Sequence, residues 1–315
     1  MELERPQQKR IRSASLEQLN EHARNHAFKL SDVDWTLSVD RKARWMPHEL
    51  VNIRFLPSYQ KLMPEHQLRY NQIYGLAIAE QFIWFEEGIV IPIMQRLLAK
   101  SNLTQELSTC LAHFIDDEVK HAEMFRALLA KADPAYAKDS GYRFYNLSGV
   151  QKFFYNTIVN NPNLFIAWIW MTIYFEERTM HISRLYREEI VDPLFARCHL
   201  LHMQDESRHL QVDQYLLTYL YDDQPAWKRQ LAAWMYERVI TAYAAPKRIS
   251  GRVLDLLGEE FPEDKALFAQ LKGEFPILPH HREFIVKMFG DEAIPRTRTL
   301  LARYPEMKKS LAVIS

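Results

Sequence analysis

Two short strings in this sequence have the residue types of a metal-binding helix. Glu118-Val-Lys-His121 and Glu206-Ser-Arg-His209 both read Glu-x-x-His. Residues three apart lie on one face of a helix, so the carboxylate and imidazole of each string can reach the same ion. A lone Glu-x-x-His occurs by chance about once in a chain of this size. Both copies here lie in the longer string Asp-Glu-x-(Lys/Arg)-His, which indicates a repeated site.

A second repeated string precedes each Glu-x-x-His. Residues 84–87 read Trp-Phe-Glu-Glu and residues 174–177 read Tyr-Phe-Glu-Glu. These two strings are offset by 90 residues, and the Glu-x-x-His strings by 88. The chain therefore contains two copies of a helix pair. One Glu from each of two helices, with Glu-x-x-His from each of two others, is the ligand set of di-iron and di-manganese carboxylate sites.

The hydrophobic pattern selects one Glu from each Glu-Glu pair. Glu86 and Glu176 interrupt otherwise apolar helix faces, and a carboxylate buried there must be paired or bound to metal. Glu87 and Glu177 lie about 100° further round, on more polar faces. We therefore predict Glu86 and Glu176 as ligands, with a shift by one residue as the alternative. Another alternative is that the four buried glutamates form structural salt bridges with Arg and Lys.

A third histidine makes the two copies unequal. His202 stands four residues before Glu206 and seven before His209, so the three share one helix face. The equivalent position in the first copy is Phe114. One metal should then have an imidazole that the other lacks.

Asp117 and Asp205 directly precede the Glu of each Glu-x-x-His. We expect each to accept the outer N–H of a ligand histidine and so fix its tautomer. The predicted metal ligands are Glu86, Glu118, His121, Glu176, His202, Glu206 and His209.

Four long segments with helical periodicity must position these residues. They cover about residues 64–100, 104–131, 163–189 and 193–221. A helix of about 28 residues is about 40 Å long, which suits one four-helix bundle. Pro92 should kink the first segment.

Shorter helical stretches flank the bundle at about 15–28 and 226–257, followed by further pieces broken by prolines. No Gly- or Ser-rich linker separates them from the bundle. The prediction is therefore one all-α domain over residues 1–315, with the metal-bearing bundle at about 64–221.

The composition excludes several function classes. The eight glycines include no glycine-rich phosphate-binding motif, and 40 basic residues balance 40 acidic ones, which argues against nucleic-acid binding. The longest nearly unbroken apolar run, residues 164–175, is shorter than the roughly 20 residues of a membrane span. Cys110 and Cys198 are the only cysteines, and the N-terminus lacks an apolar signal segment. We expect a cytoplasmic protein that binds neither nucleic acid nor membrane.

The order Glu, Glu-x-x-His, Glu, His-x-x-x-Glu-x-x-His resembles the non-haem di-iron N-oxygenases of the p-aminobenzoate N-oxygenase type. Their additional histidine distinguishes them from acyl-carrier-protein desaturases, ribonucleotide reductase radical subunits and bacterial multicomponent monooxygenases, which share only the two Glu-x-x-His motifs. The resemblance covers about residues 64–221. It implies a ferritin-like four-helix bundle with additional flanking helices, and it assigns the same seven residues as ligands.

The resemblance also implies a reaction. Such an enzyme activates O2 at two iron ions and oxygenates an amine, typically an arylamine, to a hydroxylamine or nitro product. Manganese suits the same mixed ligands. An external electron donor is required, since the chain has no flavin or nicotinamide motif, and a homodimer is expected. The alternatives are a di-iron hydroxylase or desaturase acting on an aryl or carrier-bound substrate, and a non-enzymatic helical iron-binding or scaffold protein.

The substrate pocket should be apolar and aromatic. Tyr74, Trp84, Trp170 and Tyr174 are candidates for its lining. A substrate carboxylate would call for a bidentate arginine, and the candidates are Arg282, Arg296 and Arg298.

Overall fold

The computed structural model describes residues 14–100, 103–135 and 141–315, so residues 1–13 of the predicted domain lie outside it. The regular structure of these described residues is helical throughout, which confirms the predicted all-α class. The α-helices in chain order are α1 (Leu16–His26), α2 (Pro64–Phe85), α3 (Ile91–Lys100), α4 (Gln105–Ala132), α5 (Gly149–Asn160), α6 (Trp168–Glu188), α7 (Pro193–Leu216), α8 (Ala226–Ala244), α9 (Lys247–Glu260), α10 (Lys265–Glu274), α11 (Arg282–Phe289), α12 (Pro295–Arg303) and α13 (Lys308–Val313).

The four central helices are α2, α4, α6 and α7. Helix α2 packs against α4, α6 packs against α7, and α4 packs against α7. Residues in the middle of these helices therefore face one another inside the bundle. This is the arrangement that the four periodic segments predict.

Two side chains fix where the Glu-x-x-His helices begin. Thr104 caps α4, because its hydroxyl accepts a hydrogen bond from the Leu107 N–H. Asp192 caps α7 by accepting from the Leu194 and Phe195 N–H groups, with Pro193 at the first helical position. Such caps satisfy N–H groups that have no partner within the helix.

The first predicted segment is not one continuous helix. A π-helical turn, Glu86–Val90, separates α2 from α3. Pro92 has no N–H for the carbonyl of Gly88, four residues earlier, and its ring disfavours a regular turn there. The Tyr155 hydroxyl donates to that carbonyl instead, and the Ile91 N–H reaches back five residues to the Glu86 carbonyl. The distortion thus falls one turn before the proline and includes a predicted ligand.

Two other helix boundaries differ from the expectation. Helix α6 begins at Trp168 rather than near residue 163, and the stretch predicted at 226–257 is two helices that meet at residues 245–246. Pro246 follows the end of α8, at a position where proline disfavours helical continuation through the preceding residue.

The flanking helices cover the bundle. Helix α1 packs on α4 and α7, α9 packs on α2, and α12 packs on α6. The buried apolar residues form one contiguous cluster that includes side chains from the bundle and from the flanking helices. Within the described ranges, no helix is both long and apolar enough to cross a membrane.

Candidate metal centre

The central helices bring all seven predicted ligands into one cluster. Each of the seven is at most 4% exposed. Glu86 lies in the π-helical turn after α2, and the others lie on α4, α6 and α7. The cluster consists of Glu86, Glu118, His121, Glu176, His202, Glu206 and His209.

One end of the cluster is formed by Glu86, His121 and His202. Their ligand atoms all lie within 4.8 Å of one another. His202 Nε2 is 3.2 Å from Glu86 Oε1 and 2.5 Å from Glu206 Oε1. The third histidine therefore comes from the second sequence copy but lies beside the Glu of the first.

The other end is formed by Glu176, Glu206 and His209, whose ligand atoms also lie within 4.8 Å of one another. His209 Nδ1 is 3.7 Å from Glu176 Oε2 and 3.4 Å from Glu206 Oε2. This end has one imidazole, whereas the first has two.

Glu118 and Glu206 lie between the two ends. Glu118 is 3.6 Å from His121 Nδ1 and 3.2 Å from His209 Nδ1, through different carboxylate oxygens. Glu206 likewise contacts His121 Nδ1 at 3.6 Å and His209 Nδ1 at 3.4 Å. Two central carboxylates with a terminal carboxylate at each end match the donor arrangement of a two-metal carboxylate site.

The neighbouring glutamates lie outside the cluster. Glu87 forms an ion pair with Arg126, whose Nε is 3.1 Å from Glu87 Oε1. Glu177 accepts from the backbone N–H groups of Arg296 and Thr297 at 2.8 and 2.7 Å, at the start of α12. The geometry therefore favours Glu86 and Glu176 over their neighbours.

The aspartates contact the histidines crosswise. Asp117 on α4 has Oδ2 3.3 Å from Nε2 of His209 on α7. Asp205 on α7 has Oδ2 3.4 Å from Nε2 of His121 on α4. The outer nitrogen of each imidazole faces a carboxylate, which leaves Nδ1 directed towards the glutamates.

Arg208 joins these two aspartates, and sequence reasoning gave it no role. Its Nη2 donates to Asp117 Oδ2 and, at 3.1 Å, to Asp205 Oδ1. Lys120 adds a 2.7 Å contact to Asp117. The sequence does contain an indication of this role, because Lys120 and Arg208 occupy the basic position that both copies of Asp-Glu-x-(Lys/Arg)-His share.

The polar atoms of the cluster fit metal ions better than they fit one another. Among the described residues, no Arg or Lys forms an ion pair with any of the four glutamates, which argues against the structural salt-bridge alternative. Buried polar atoms normally have hydrogen-bond partners. Eight buried atoms of the cluster have no hydrogen-bond partner: Glu86 Oε2, Glu118 Oε1, His121 Nδ1 and Nε2, His202 Nδ1 and Nε2, Glu206 Oε2 and His209 Nδ1.

The electrostatics of the protein without metal are those of crowded carboxylates. Burial, with repulsion from Glu118, raises the pKa of Glu86 well above its usual value. Burial opposes charge on His121, but its contacts with Asp205 and Glu118 outweigh this and raise its pKa to about 10. Burial lowers the pKa of His202, which has no such aspartate contact. Glu86 and His121 are therefore protonated in the metal-free protein, and these protons would have to leave when a metal ion binds.

Aromatic rings cover the imidazoles. Phe114 stacks on His209 with ring centroids 3.8 Å apart, and Phe28 stacks on His121 at 5.6 Å. Phe82 meets His202 edge-on at 4.8 Å. These rings exclude water and lower the local dielectric, which strengthens electrostatic interactions inside the cluster.

The residues that line the observed pocket agree only in part with those predicted from the sequence. Tyr74 lines a pocket beside the bundle, but the other three aromatic candidates do not. Trp84 stacks on Tyr145, and Trp170 packs among Tyr221, Tyr236 and Tyr304. The pocket is also lined by Arg178 and by none of the predicted arginines, which are Arg282, Arg296 and Arg298.

The sequence also matches a known protein family. The model of the family described as P-aminobenzoate N-oxygenase AurF matches residues 9–291, nearly the whole chain. The chain belongs to this family. It is therefore an enzyme, an oxygen-dependent monooxygenase of a di-iron N-oxygenase family, with an all-α ferritin-like fold. A comparison with curated protein sequences gave no match.

Proposed function

We propose that this enzyme oxygenates the nitrogen of a small-molecule amine, most suitably an arylamine, to a hydroxylamine or nitro product. The observation that carries the proposal is the buried seven-residue cluster with His202 at one end, in a chain of this family. When bound there, two iron ions supply the binding and reduction of O2.

The proposed ligand sets follow the two ends of the cluster. Glu86, His121 and His202 would hold one ion, and Glu176 and His209 would hold the other, with Glu118 and Glu206 available to both. Four carboxylates balance the four positive charges of two ferrous ions, so the occupied site carries no net charge. Manganese is compatible with the same donors.

The surrounding residues orient and enclose this site. Asp117 and Asp205 keep the outer nitrogens of His209 and His121 protonated, so that their Nδ1 atoms remain free to bind metal. The aromatic rings over these imidazoles keep out water, which would otherwise compete with substrate and O2.

Other parts of the proposal concern the whole molecule. We propose one ferritin-like domain that acts as a homodimer in the cytoplasm with an external electron donor. The absence of a nucleotide-binding motif in the sequence supports an external donor, and the family resemblance supports the dimer. Light scattering of the eluted protein measures the oligomer directly.

Product analysis tests the reaction. The iron-loaded, reduced protein is mixed with 4-aminobenzoate and isotopically labelled O2. The products are separated, and their masses are determined by mass spectrometry. The proposal expects hydroxylamino or nitro products that contain labelled oxygen. These products should be absent with Glu118→Ala and retained with Glu87→Ala. Oxygen on a ring carbon would indicate the hydroxylase alternative, and no turnover with any amine would contradict the proposal.

A further inference from the structure

Helix α5 lies against the π-helical turn between α2 and α3, although it contributes little to the core. All 12 residues of α5 are described, and Val159 is the only one of them that is buried. Phe153 and Phe154 are 67% and 61% exposed. The helix packs on α3, where Arg96 donates to the side chain of Asn160. With so little buried apolar surface, α5 depends on a few specific contacts for its position.

One of these contacts reaches the backbone of the turn. The Tyr155 hydroxyl donates to the Gly88 carbonyl, and the rings of Tyr155 and Trp84 have centroids 6.1 Å apart. Burial raises the pKa of Tyr155 to about 12, so the hydroxyl keeps its proton at neutral pH and can donate. Trp84 lies two residues before Glu86, and Gly88 lies two residues after it. Tyr155 therefore contacts the chain on both sides of this predicted ligand.

Gly88 lacks the side chain that would prevent this contact. A Cβ atom at residue 88 would lie 2.7 Å from the Tyr155 hydroxyl oxygen, which is too close for two atoms that are not bonded. The same Cβ would lie 3.6 Å from the ring carbon that bears the hydroxyl, which is an ordinary van der Waals distance. The hydroxyl, and not the ring, therefore requires glycine at this position.

The hydroxyl replaces a donor that the helix lacks. In a regular α-helix the N–H four residues on would donate to the Gly88 carbonyl, but that residue is Pro92, which has no N–H. Removing the hydroxyl therefore weakens the π-helical turn relative to other backbone arrangements. One residue corresponds to about 100° of rotation about a helix axis. A different turn would thus point the Glu86 carboxylate in another direction.

The direction of Glu86 matters because its carboxylate faces the third histidine. Glu86 Oε1 is 3.2 Å from His202 Nε2, and the ligand atoms of Glu86, His121 and His202 all lie within 4.8 Å of one another. At the other end of the cluster, Glu176 lies inside the regular helix α6. The backbone of the first end thus depends on a contact from α5, whereas the hydrogen bonds of α6 itself hold the second.

We propose that Tyr155 is a positioning residue for Glu86. Its hydrogen bond to Gly88 holds the π-helical turn in the arrangement that directs Glu86 towards His202, and it thereby links α5 to one end of the cluster. The proposal rests on the metal centre of the proposed function, because it concerns the affinity for the ion beside Glu86. Since such a link is reciprocal, metal binding at this end should also hold α5 against the turn.

Stepwise anaerobic titration of the full-length, metal-free protein with Fe(II) in a calorimeter tests the link. Tyr155→Phe should lower the affinity for one of the two ions by about three- to tenfold, the range that one net hydrogen bond contributes. The affected ion should be the one that His202→Phe weakens. Tyr215→Phe is the matched control, because its hydroxyl also donates to a backbone carbonyl, that of Ala14. This control should bind both ions as the wild type does.

Gly88→Ala breaks the same contact from the other side. Its methyl group displaces the Tyr155 hydroxyl, so the loss of affinity should match that of Tyr155→Phe. When Tyr155→Phe is already present, Gly88→Ala should cost no further affinity, because the hydroxyl that it displaces is absent. Circular dichroism and the melting temperature establish that each variant is folded. Additive losses in the double variant would contradict the proposal.

Hydrogen exchange measures the reciprocal effect. Anaerobic Fe(II) should slow the exchange of backbone amides in residues 149–160 of the wild type, because the bound ion stabilises the turn that α5 contacts. In Tyr155→Phe the same addition of Fe(II) should leave the exchange of these amides unchanged. Equal slowing in the variant and the wild type would show that Tyr155 does not carry the link.

The outcomes separate this proposal from the proposed function. A folded Tyr155→Phe variant that binds both ions with wild-type affinity, or that loses equal affinity for both, overturns the role of Tyr155. A wild type that binds fewer than two ions contradicts the metal centre and this proposal with it. Selective loss at one ion, in a protein that oxygenates no amine nitrogen, supports the positioning role and contradicts only the proposed reaction.

Discussion

The two halves of the candidate metal centre come from the same sequence pattern but are built differently. The first half places Glu86 in a π-helical turn, whereas the second places Glu176 in the regular helix α6. The sequence already shows part of this difference. The Glu-Glu strings are offset by 90 residues and the Glu-x-x-His strings by 88, so the spacing from Glu to Glu-x-x-His differs between the two copies. π-helical turns inside α-helices are frequent at functional sites. A repeated ligand pattern therefore does not require repeated backbone geometry.

The halves also differ in their histidines. The second half carries His199 and His202 at the positions where the first has Leu111 and Phe114. Phe114 stacks on His209, while His202 joins the end of the cluster that contains Glu86. Each half thus contributes its non-repeated residue to the surroundings of the other.

The largest expected effect comes from the two glutamates that both ends share. Glu118→Ala or Glu206→Ala should abolish binding at both positions, because each carboxylate lies between His121 and His209. Metal analysis after anaerobic Fe(II) loading should fall from about two ions per chain to less than one. A variant that still binds two ions would show that the glutamate is not shared.

Replacing His202 by the residue of the first half tests the asymmetry. His202→Phe should lower the affinity for the ion beside Glu86 by at least about 10–100-fold. Loss of a metal ligand should cost at least as much affinity as loss of a residue that only hydrogen-bonds to a ligand. The ion beside Glu176 should keep its affinity. Stepwise titration with Fe(II) separates the two affinities, and an equal loss at both would contradict the assignment of His202 to one end.

The crosswise aspartates allow each half to be weakened alone. Asp117→Asn should reduce metal affinity at the end containing His209, and Asp205→Asn at the end containing His121, each by about 10–100-fold. The two variants are matched controls for each other, because both alter a carboxylate that binds Arg208. If both variants weakened the same ion, the crosswise contacts would have no role in metal binding.

The π-helical turn can be tested through Tyr155. Tyr155→Phe removes the hydroxyl that donates to the Gly88 carbonyl, and the unfolding free energy should fall by about 1 kcal/mol. Pro92→Ala restores an N–H that can bond to the same carbonyl, so the double variant should lose less than Tyr155→Phe alone. Chemical denaturation measures both differences. Purely additive effects would argue that Pro92 does not cause the turn.

A different kind of effect, on the pH dependence of stability, concerns His199, the other histidine that the first half lacks. It is fully buried against Tyr186, and burial lowers its pKa to about 3. Below the unfolded-state value of about 6.5, the unfolded chain binds a proton that the folded protein does not. Stability therefore falls with pH from about 6.5 to 3, by up to about 1.4 kcal/mol per pH unit.

His199→Leu, which introduces the first half's residue, should flatten this part of the stability profile. Denaturation at a series of pH values compares the slopes. Parallel profiles for variant and wild type would show that His199 does not contribute to acid sensitivity.

Much of the fold and the cluster could be predicted from the sequence. Four periodic segments predicted the bundle. The paired strings identified six of the seven residues that the structure brings together, and the spacing to Glu206 and His209 identified the seventh, His202. This works because helical spacing places residues three, four and seven apart on one face. The prediction of Glu86 rather than Glu87 followed from the cost of burying an unpaired carboxylate, and the structure places Glu86 in the cluster and Glu87 beside Arg126.

Other features depend on contacts between distant segments, which spacing does not encode. The π-helical turn requires Tyr155, which lies on α5, to satisfy the Gly88 carbonyl. The role of Arg208 requires α4 and α7 to place both aspartates beside it. Arg178 was overlooked as a pocket residue because the lining of the pocket beside the bundle combines side chains from α2, α6, α8 and α11.

Anomalous diffraction from crystals loaded anaerobically with Fe(II) locates the bound metal ions. We expect two iron peaks per chain, one among Glu86, His121 and His202 and the other beside Glu176 and His209, with Glu118 and Glu206 between them. A single peak, or iron bound only outside these seven side chains, would contradict this expectation.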